Sequence, residues 1–243
     1  MGGDIGRGTV FELSLGGGDT WTENVLYGMD QGGDNPQCAL LIDSLDNIYG
    51  TAGGGSENGG MVFELSPLNG SWIFSVLYAF DGFNGSKDGQ GPKAGLVFDS
   101  LGDLYGTTVG GGEFGFGTVF ELTPNDGDWT ELILYSFAGR IDGANPESSL
   151  VLDAGGNLYG TTFAGGGSQG CLQSGCGTVF KLVPNQGGEW TETLFRFPTD
   201  GHLGSQPTAP LFIDSLGNVY GTTTTGGYRN GLVDDGVVFR ITQ

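Results

Sequence analysis

Asp153-Ala154-Gly155-Gly156-Asn157-Leu158-Tyr159-Gly160-Thr161-Thr162, closed after a glycine-rich loop by Gly177-Thr178-Val179-Phe180-Lys181-Leu182, decides the fold. Gly155-Gly156-Asn157 is hairpin chemistry, because Gly and Asn accept the positive φ of a tight turn. Leu150-Val151-Leu152 leads into that turn. Three consecutive apolar residues mean a strand buried on both faces. Beyond the second motif, Trp190 opens a further apolar segment that ends in Leu194-Phe195-Arg196-Phe197. The stretch reads as four antiparallel strands, here A (ending at Asp153), B (Tyr-Gly-Thr), C (Gly-Thr-Val-Phe-Lys-Leu) and D (from Trp190). No segment has the helical period.

Each element recurs. Strand A follows Pro36, Pro92, Pro146 and Pro207 and ends at Asp43, Asp99, Asp153 and Asp214. Strand B carries Tyr49, Tyr105, Tyr159 and Tyr220, each followed by Gly-Thr. Strand C starts at Gly8, Gly60, Gly117, Gly177 and Gly236, an interval of 52–60 residues. Strand D starts at Trp21, Trp72, Trp129 and Trp190. The units are 1–35 (C-D only), 36–91, 92–145, 146–206 and 207–243 (A-B-C only). A lone four-stranded sheet cannot bury both faces, so the units must pack face to face in a single repeat domain. The expected fold is all-β, a β-propeller of four-stranded antiparallel blades. A parallel β-helix is the rival, but its coils are shorter and lack hairpins.

Strand C occurs five times and the others four times. If the N-terminal strand D completes the last unit, four blades close into a ring and one C strand is surplus. Either Gly8–Leu13 or Gly236–Ile241 is then displaced, or pairs with another chain as an exposed edge does. The alternative is a fragment of a larger propeller.

The formal charge is −20 with eight Lys plus Arg in 243 residues, which repels phosphate backbones and argues against nucleic acid. No apolar run reaches membrane-spanning length. Met1-Gly2-Gly3 precedes no apolar signal-type segment, and Gly6 stands where a myristoylation motif needs Ser or Thr. Gly, at 51 residues without a three-residue period, supplies turns rather than a collagen helix.

The pattern Asp-x-x-Gly-Asn-Leu-Tyr-Gly-Thr-Thr…Gly-Gly…Gly-Thr-Val-Phe-x-Leu, quoted from Asp153–Leu182, resembles the Gloeobacter–Verrucomicrobia tandem-repeat family. The resemblance runs from Gly8 to Ile241. It implies a bacterial cell-surface or exported repeat protein, and it brings no catalytic residues to carry over.

His202 is the single histidine, which excludes a His-based triad or a multi-His metal site within one chain. The strand-A aspartates read as turn caps, because they recur in every unit and a site breaks symmetry. The strand-B tyrosines and the four tryptophans read as interblade packing. The D–A loops vary most and lead into one mouth of the ring, so they are the candidate ligand face. Their candidates are Asp30, Asp34, Asn35, Asp81, Asn84, Asp88, Asp142, Asn145 and Asp200, hard oxygens that also suit Ca²⁺. Cys171 and Cys176 are expected to bridge their own loop, leaving Cys38, beside the apolar run Ala39–Ile42, as a small buried side chain. The expected function is a non-catalytic extracellular binding or scaffold module for protein, glycan or its own copies. The alternative is a hydrolase or lyase working through loop carboxylates such as Asp34 and Asp142.

Overall fold

The computed structural model describes residues 6–29, 33–54, 58–82, 87–167, 175–198, 203–229, 232–233 and 235–242. The unit strands run β1 (Thr9–Leu15), β2 (Trp21–Gly28), β3 (Leu41–Ile42), β4 (Ile48–Ala52), β5 (Asn58–Leu68) and β6 (Ser71–Asp81). They continue with β7 (Val97–Phe98), β8 (Leu104–Thr108), β9 (Thr118–Asn125), β10 (Asp128–Ser136), β11 (Val151–Leu152) and β12 (Leu158–Thr162). The last are β13 (Thr178–Pro184), β14 (Trp190–Arg196), β15 (Phe212–Ile213), β16 (Val219–Thr222) and β17 (Val238–Ile241).

Three complete antiparallel meanders form, β3-β4-β5-β6, β7-β8-β9-β10 and β11-β12-β13-β14. They are flanked by the hairpin β1-β2 and the three-stranded sheet β15-β16-β17. The ring closure expected through the N-terminal strand D does not occur among the described residues. β2 pairs with β1, from Thr9↔Gly28 to Leu15↔Trp21, and β17 is left as the outer strand of its sheet. A hairpin partner a few residues away costs far less loop-closure entropy than one at the other end of the chain. The fifth strand C is therefore divided between two incomplete end units, with no copy displaced.

Tyr-Gly-Thr carries three separate jobs. The glycine lies beneath the strand-C phenylalanine of its own blade. A Cβ on Gly106 would sit 2.4 Å from the ring of Phe120, and one on Gly160 2.4 Å from that of Phe180. The threonine reaches the next blade, as Thr51 donates to the Ala94 carbonyl at 3.1 Å and Thr161 to the Pro207 carbonyl at 3.4 Å. The tyrosine hydroxyl returns to the strand-A aspartate, Tyr159 to Asp153 at 3.0 Å and Tyr220 to Asp214 at 3.0 Å.

The core lies between blades. One cluster joins Tyr49, Val62 and Phe80 of one blade to Leu96, Leu104, Phe120 and Leu122 of the next. The D-strand phenylalanine meets the next blade's C-strand phenylalanine ring to ring, Phe80 with Phe120 at 5.1 Å and Phe137 with Phe180 at 5.2 Å. The tryptophans Trp72, Trp129 and Trp190 pack on these clusters. A bulge follows the valine in the first three C–D pairs, at Val10/Phe11, Val62/Phe63 and Val119/Phe120. It is missing from β13–β14. Strand D has one residue fewer between Trp190 and Phe195 than between Trp129 and Tyr135, so there is nothing to bulge.

Candidate functional site at the blade junctions

The strand-A aspartates are turn caps. Asp153 Oδ1 accepts from the Gly155 and Asn157 amides at 2.8 and 3.0 Å, and Oδ2 accepts from the Asn157 side chain at 2.8 Å. Asp43, Asp99 and Asp214 accept the same pair of backbone donors. Burial pushes the Asp43 and Asp153 carboxyls up, but the bonds from Asn47 and Asn157 outweigh it and hold them below the usual range. Asp214 is lowered first by its Asn218 partner.

The D–A loops form the latch between blades. Asn35, Gly91, Asn145 and Gln206 each precede the strand-A proline and each has positive φ. Their amides donate back to the preceding blade, to the carbonyls of Arg7, Gly59, Phe116 and Cys176 at 2.7–2.9 Å. Their register brings each proline onto the glycine that opens the preceding strand C. A Cβ on Gly117 would lie 2.6 Å from Pro146 Cδ, and one on Gly60 2.4 Å from Pro92 Cδ. That glycine also has φ of +101° at Gly117 and +94° at Gly60, where L side chains are strained.

The candidate ligand residues that are described lie in these loops, where their polar groups bond to other parts of the protein. The Asp34 carbonyl accepts from the Gly53 amide at 2.9 Å, and its side chain lies 3.5 Å from that of Asn35. Asp88 Oδ2 accepts from the Asp81 amide at 2.8 Å, and Asp142 Oδ2 from the Ala138 amide at 2.7 Å. The Asn145 side chain donates to the Val109 carbonyl at 3.0 Å. Asp30, Asn84 and Asp200 lie outside the described residues, as does Cys171. Cys176 is fully buried, and Cys38 is a free thiol whose sulfur accepts from the Thr51 amide at 3.1 Å. No group of three or more His, Cys, Asp or Glu among the described residues is disposed to hold a metal ion. Among the described residues no helix is long and apolar enough to cross a membrane.

Two acidic clusters extend the latch, and both went unseen in the sequence. The Tyr135 hydroxyl, from β10, lies 2.7 Å from Glu192 Oε2 on β14 and 3.2 Å from Asp142 Oδ2. One blade earlier, the Tyr78 hydroxyl donates to Asp88 Oδ2 at 3.4 Å, and Asp88 lies near Glu131. Burial pushes the Glu131 and Glu192 carboxyls up to about 7, and the neighbouring aspartates add to the rise. Glu131 Oε1, Asp142 Oδ1 and Glu192 Oε1 are buried without a hydrogen-bond partner. Burial first, and the neighbouring Asp142 charge after it, favour the protonated form of Glu192, which can donate to Asp142. The available signal was Glu two residues after the strand-D tryptophan, at Glu23, Glu131 and Glu192.

Four-stranded antiparallel sheets stacked face to face through repeated aromatic contacts define a propeller-type repeat protein. The chain belongs to the Gloeobacter/Verrucomicrobia repeat family, whose model matches residues 1–172 and again 74–243. No curated protein is significantly similar in sequence. Among solved structures, a protein from Lactobacillus plantarum superposes with a TM-score of 0.57 at 16% identity, over 96% of this chain and 61% of that one. A candidate 6-phosphogluconolactonase from Bacteroides uniformis superposes with a TM-score of 0.52 at 17% identity, over 91% of this chain and 60% of that one. These likenesses establish the fold. The chain spans about three fifths of the length of these structures.

Proposed function

We propose that this chain is a non-catalytic binding or scaffold module that works outside the bacterial cell or at its surface. The observation that carries the reading is how the D–A loop polar groups are used. Asp88 and Asp142 make the same bonds at successive junctions, and so do the residues before each strand-A proline. Reaction sites break repeat symmetry, whereas structural latches keep it. The charge of −20 suits a soluble surface exposed to small cations and repelled by anionic polymers. Protein or glycan is the ligand class that fits such a surface. A Cys171–Cys176 bridge, at home in an oxidising compartment, belongs to the same reading.

A second reading has one observation in its favour. Glu192, raised to about 7, faces Asp142 across a junction, and two facing carboxyls, one of them raised, are the groups used in glycan cleavage. One experiment separates the two. The chain is incubated with a panel of neutral and uronate-containing polysaccharides, with reducing ends and unsaturated products followed, and binding is scored on a glycan array. The proposal predicts no product from any polymer. Turnover that disappears in Glu192→Gln, with the melting temperature preserved, would establish the enzyme instead.

A further inference from the structure

Val10, Val62, Val119 and Val179 occupy one position of strand C and are 0–4% exposed, whereas Val238 at the same position is 81% exposed. The difference lies in what covers them. In every earlier unit this valine packs against the next blade, as Val62 does in the cluster with Phe120 and Leu122. No described blade follows β17.

The first unit shows the opposite half. Phe63, Phe120 and Phe180 are at most 1% exposed because the preceding blade lies on them, while Phe11 is 47% exposed. Leu13 and Val25 are exposed beside it, and Trp21 is 65% exposed where the other tryptophans are partly buried. Tyr27, on the reverse side of the same hairpin, stacks normally on Phe74 of the next blade at 4.4 Å. One end of the row thus bares the face that receives a preceding blade. The other end bares the face that receives a following blade, with Phe212 and Val238 at its centre.

We infer that these two faces are the halves of one interface, and that the partner is a second copy of this chain stacked head to tail. Continuity selects that occupant. The junction built four times inside the chain is reproduced when Val238 of one copy covers Phe11 and Leu13 of another. Among the described residues the head unit has strands C and D and the tail unit A, B and C, so their shared strand C is central to the contact. Exposed apolar patches rimmed by polar residues mark association surfaces. The contact is heterologous, joining unlike faces, so it closes a ring or continues as a filament according to its rotation. The inference rests on the scaffold reading and names the partner and surfaces for it.

The test uses the full chain and sedimentation velocity at several concentrations. Trp21→Glu blocks the head face and Val238→Glu the tail face; both side chains are exposed, so each variant should keep the wild-type melting temperature. The wild type should form dimers or longer species. Each variant alone should be monomeric, and an equimolar mixture of the two should give a one-to-one dimer, because one intact head and one intact tail remain. A monomeric wild type overturns the inference, and so does a variant that still self-associates or a mixture that stays monomeric. None of these results alters the polysaccharide turnover that decides between module and enzyme.

Discussion

The Tyr135 hydroxyl on one blade lies 2.7 Å from the Glu192 carboxylate on the next, with Asp142 on its other side. One hydroxyl proton serves two acceptors, so the cluster is short of protons. Burial, with Asp142 beside it, raises the Glu192 carboxyl to about 7, so it takes up a proton as pH falls through that value. A group with a raised folded-state value binds its proton more tightly folded than unfolded. Its stabilising contribution is complete below pH about 4.5, falls as pH rises, and is gone above about 7. Glu131 behaves alike. The melting temperature should therefore decline between pH 5 and 8. Glu192→Gln and Glu131→Gln should each flatten that decline, since an amide donates without titrating. A decline unchanged in the double variant would mean that other groups cause it.

At the acid end the turn aspartates act in the opposite sense. Asp43, Asp153 and Asp214 are held below their usual range, so their contribution is present above pH about 4 and lost as pH falls through their lowered values. Thermal melts should show a maximum near pH 4 to 5, between the two effects. Asp153→Asn should blunt the acid limb without changing the alkaline one.

The glycine that opens strand C is fixed by its φ and by the next blade's proline. Gly117→Ala must place a Cβ against Pro146 and the Thr108 carbonyl. Denaturant unfolding should report a loss of about 3 kcal/mol or more. Gly156→Ala has similar backbone strain but open space around it, and should cost only about 1 kcal/mol.

The same motif residue should have different worth along the chain. Phe180→Ala removes a fully buried ring and should cost about 3–5 kcal/mol. Phe11→Ala removes a half-exposed one and should cost about 1 kcal/mol or less under conditions where the chain is a monomer.

The loop cysteines are checked by intact mass. After alkylation in denaturant without reductant, one label is expected, on Cys38. Three labels would show that Cys171 and Cys176 are not bridged.

The repeat made the strands legible. Hairpin chemistry at Gly155-Gly156-Asn157, the apolar triplets and the recurring aspartate located β11 to β14 and, by translation, the other blades. The one-residue shortening of strand D, which removes a bulge, was present in the spacing from Trp190 to Phe195. Pairing between distant strands was not legible, because local hairpin geometry says nothing about whether β2 stays with β1 or crosses to β17. Asp34, Asn35, Asp88, Asp142 and Asn145 read as ligand groups in sequence, which does not display the hydrogen bonds they make within the chain. Asn145 donates to the Val109 carbonyl 36 residues earlier, which no local pattern reveals, while Asp142 accepts from the Ala138 amide inside its own loop. Glu131 and Glu192 look like solvated strand residues until the preceding blade's tyrosine is brought over them.

Amide hydrogen exchange along β17, with β13 as the internal reference, tests the open row of blades most directly. β13 lies between β12 and β14, whereas among the described residues β17 has β16 alone as a partner. The account predicts protection throughout Thr178–Leu182, but only at alternate amides of Val238–Ile241, where every second N–H faces the unpaired edge. Uniform protection of β17, matching β13, would mean that a fourth strand completes the last blade and would contradict the account.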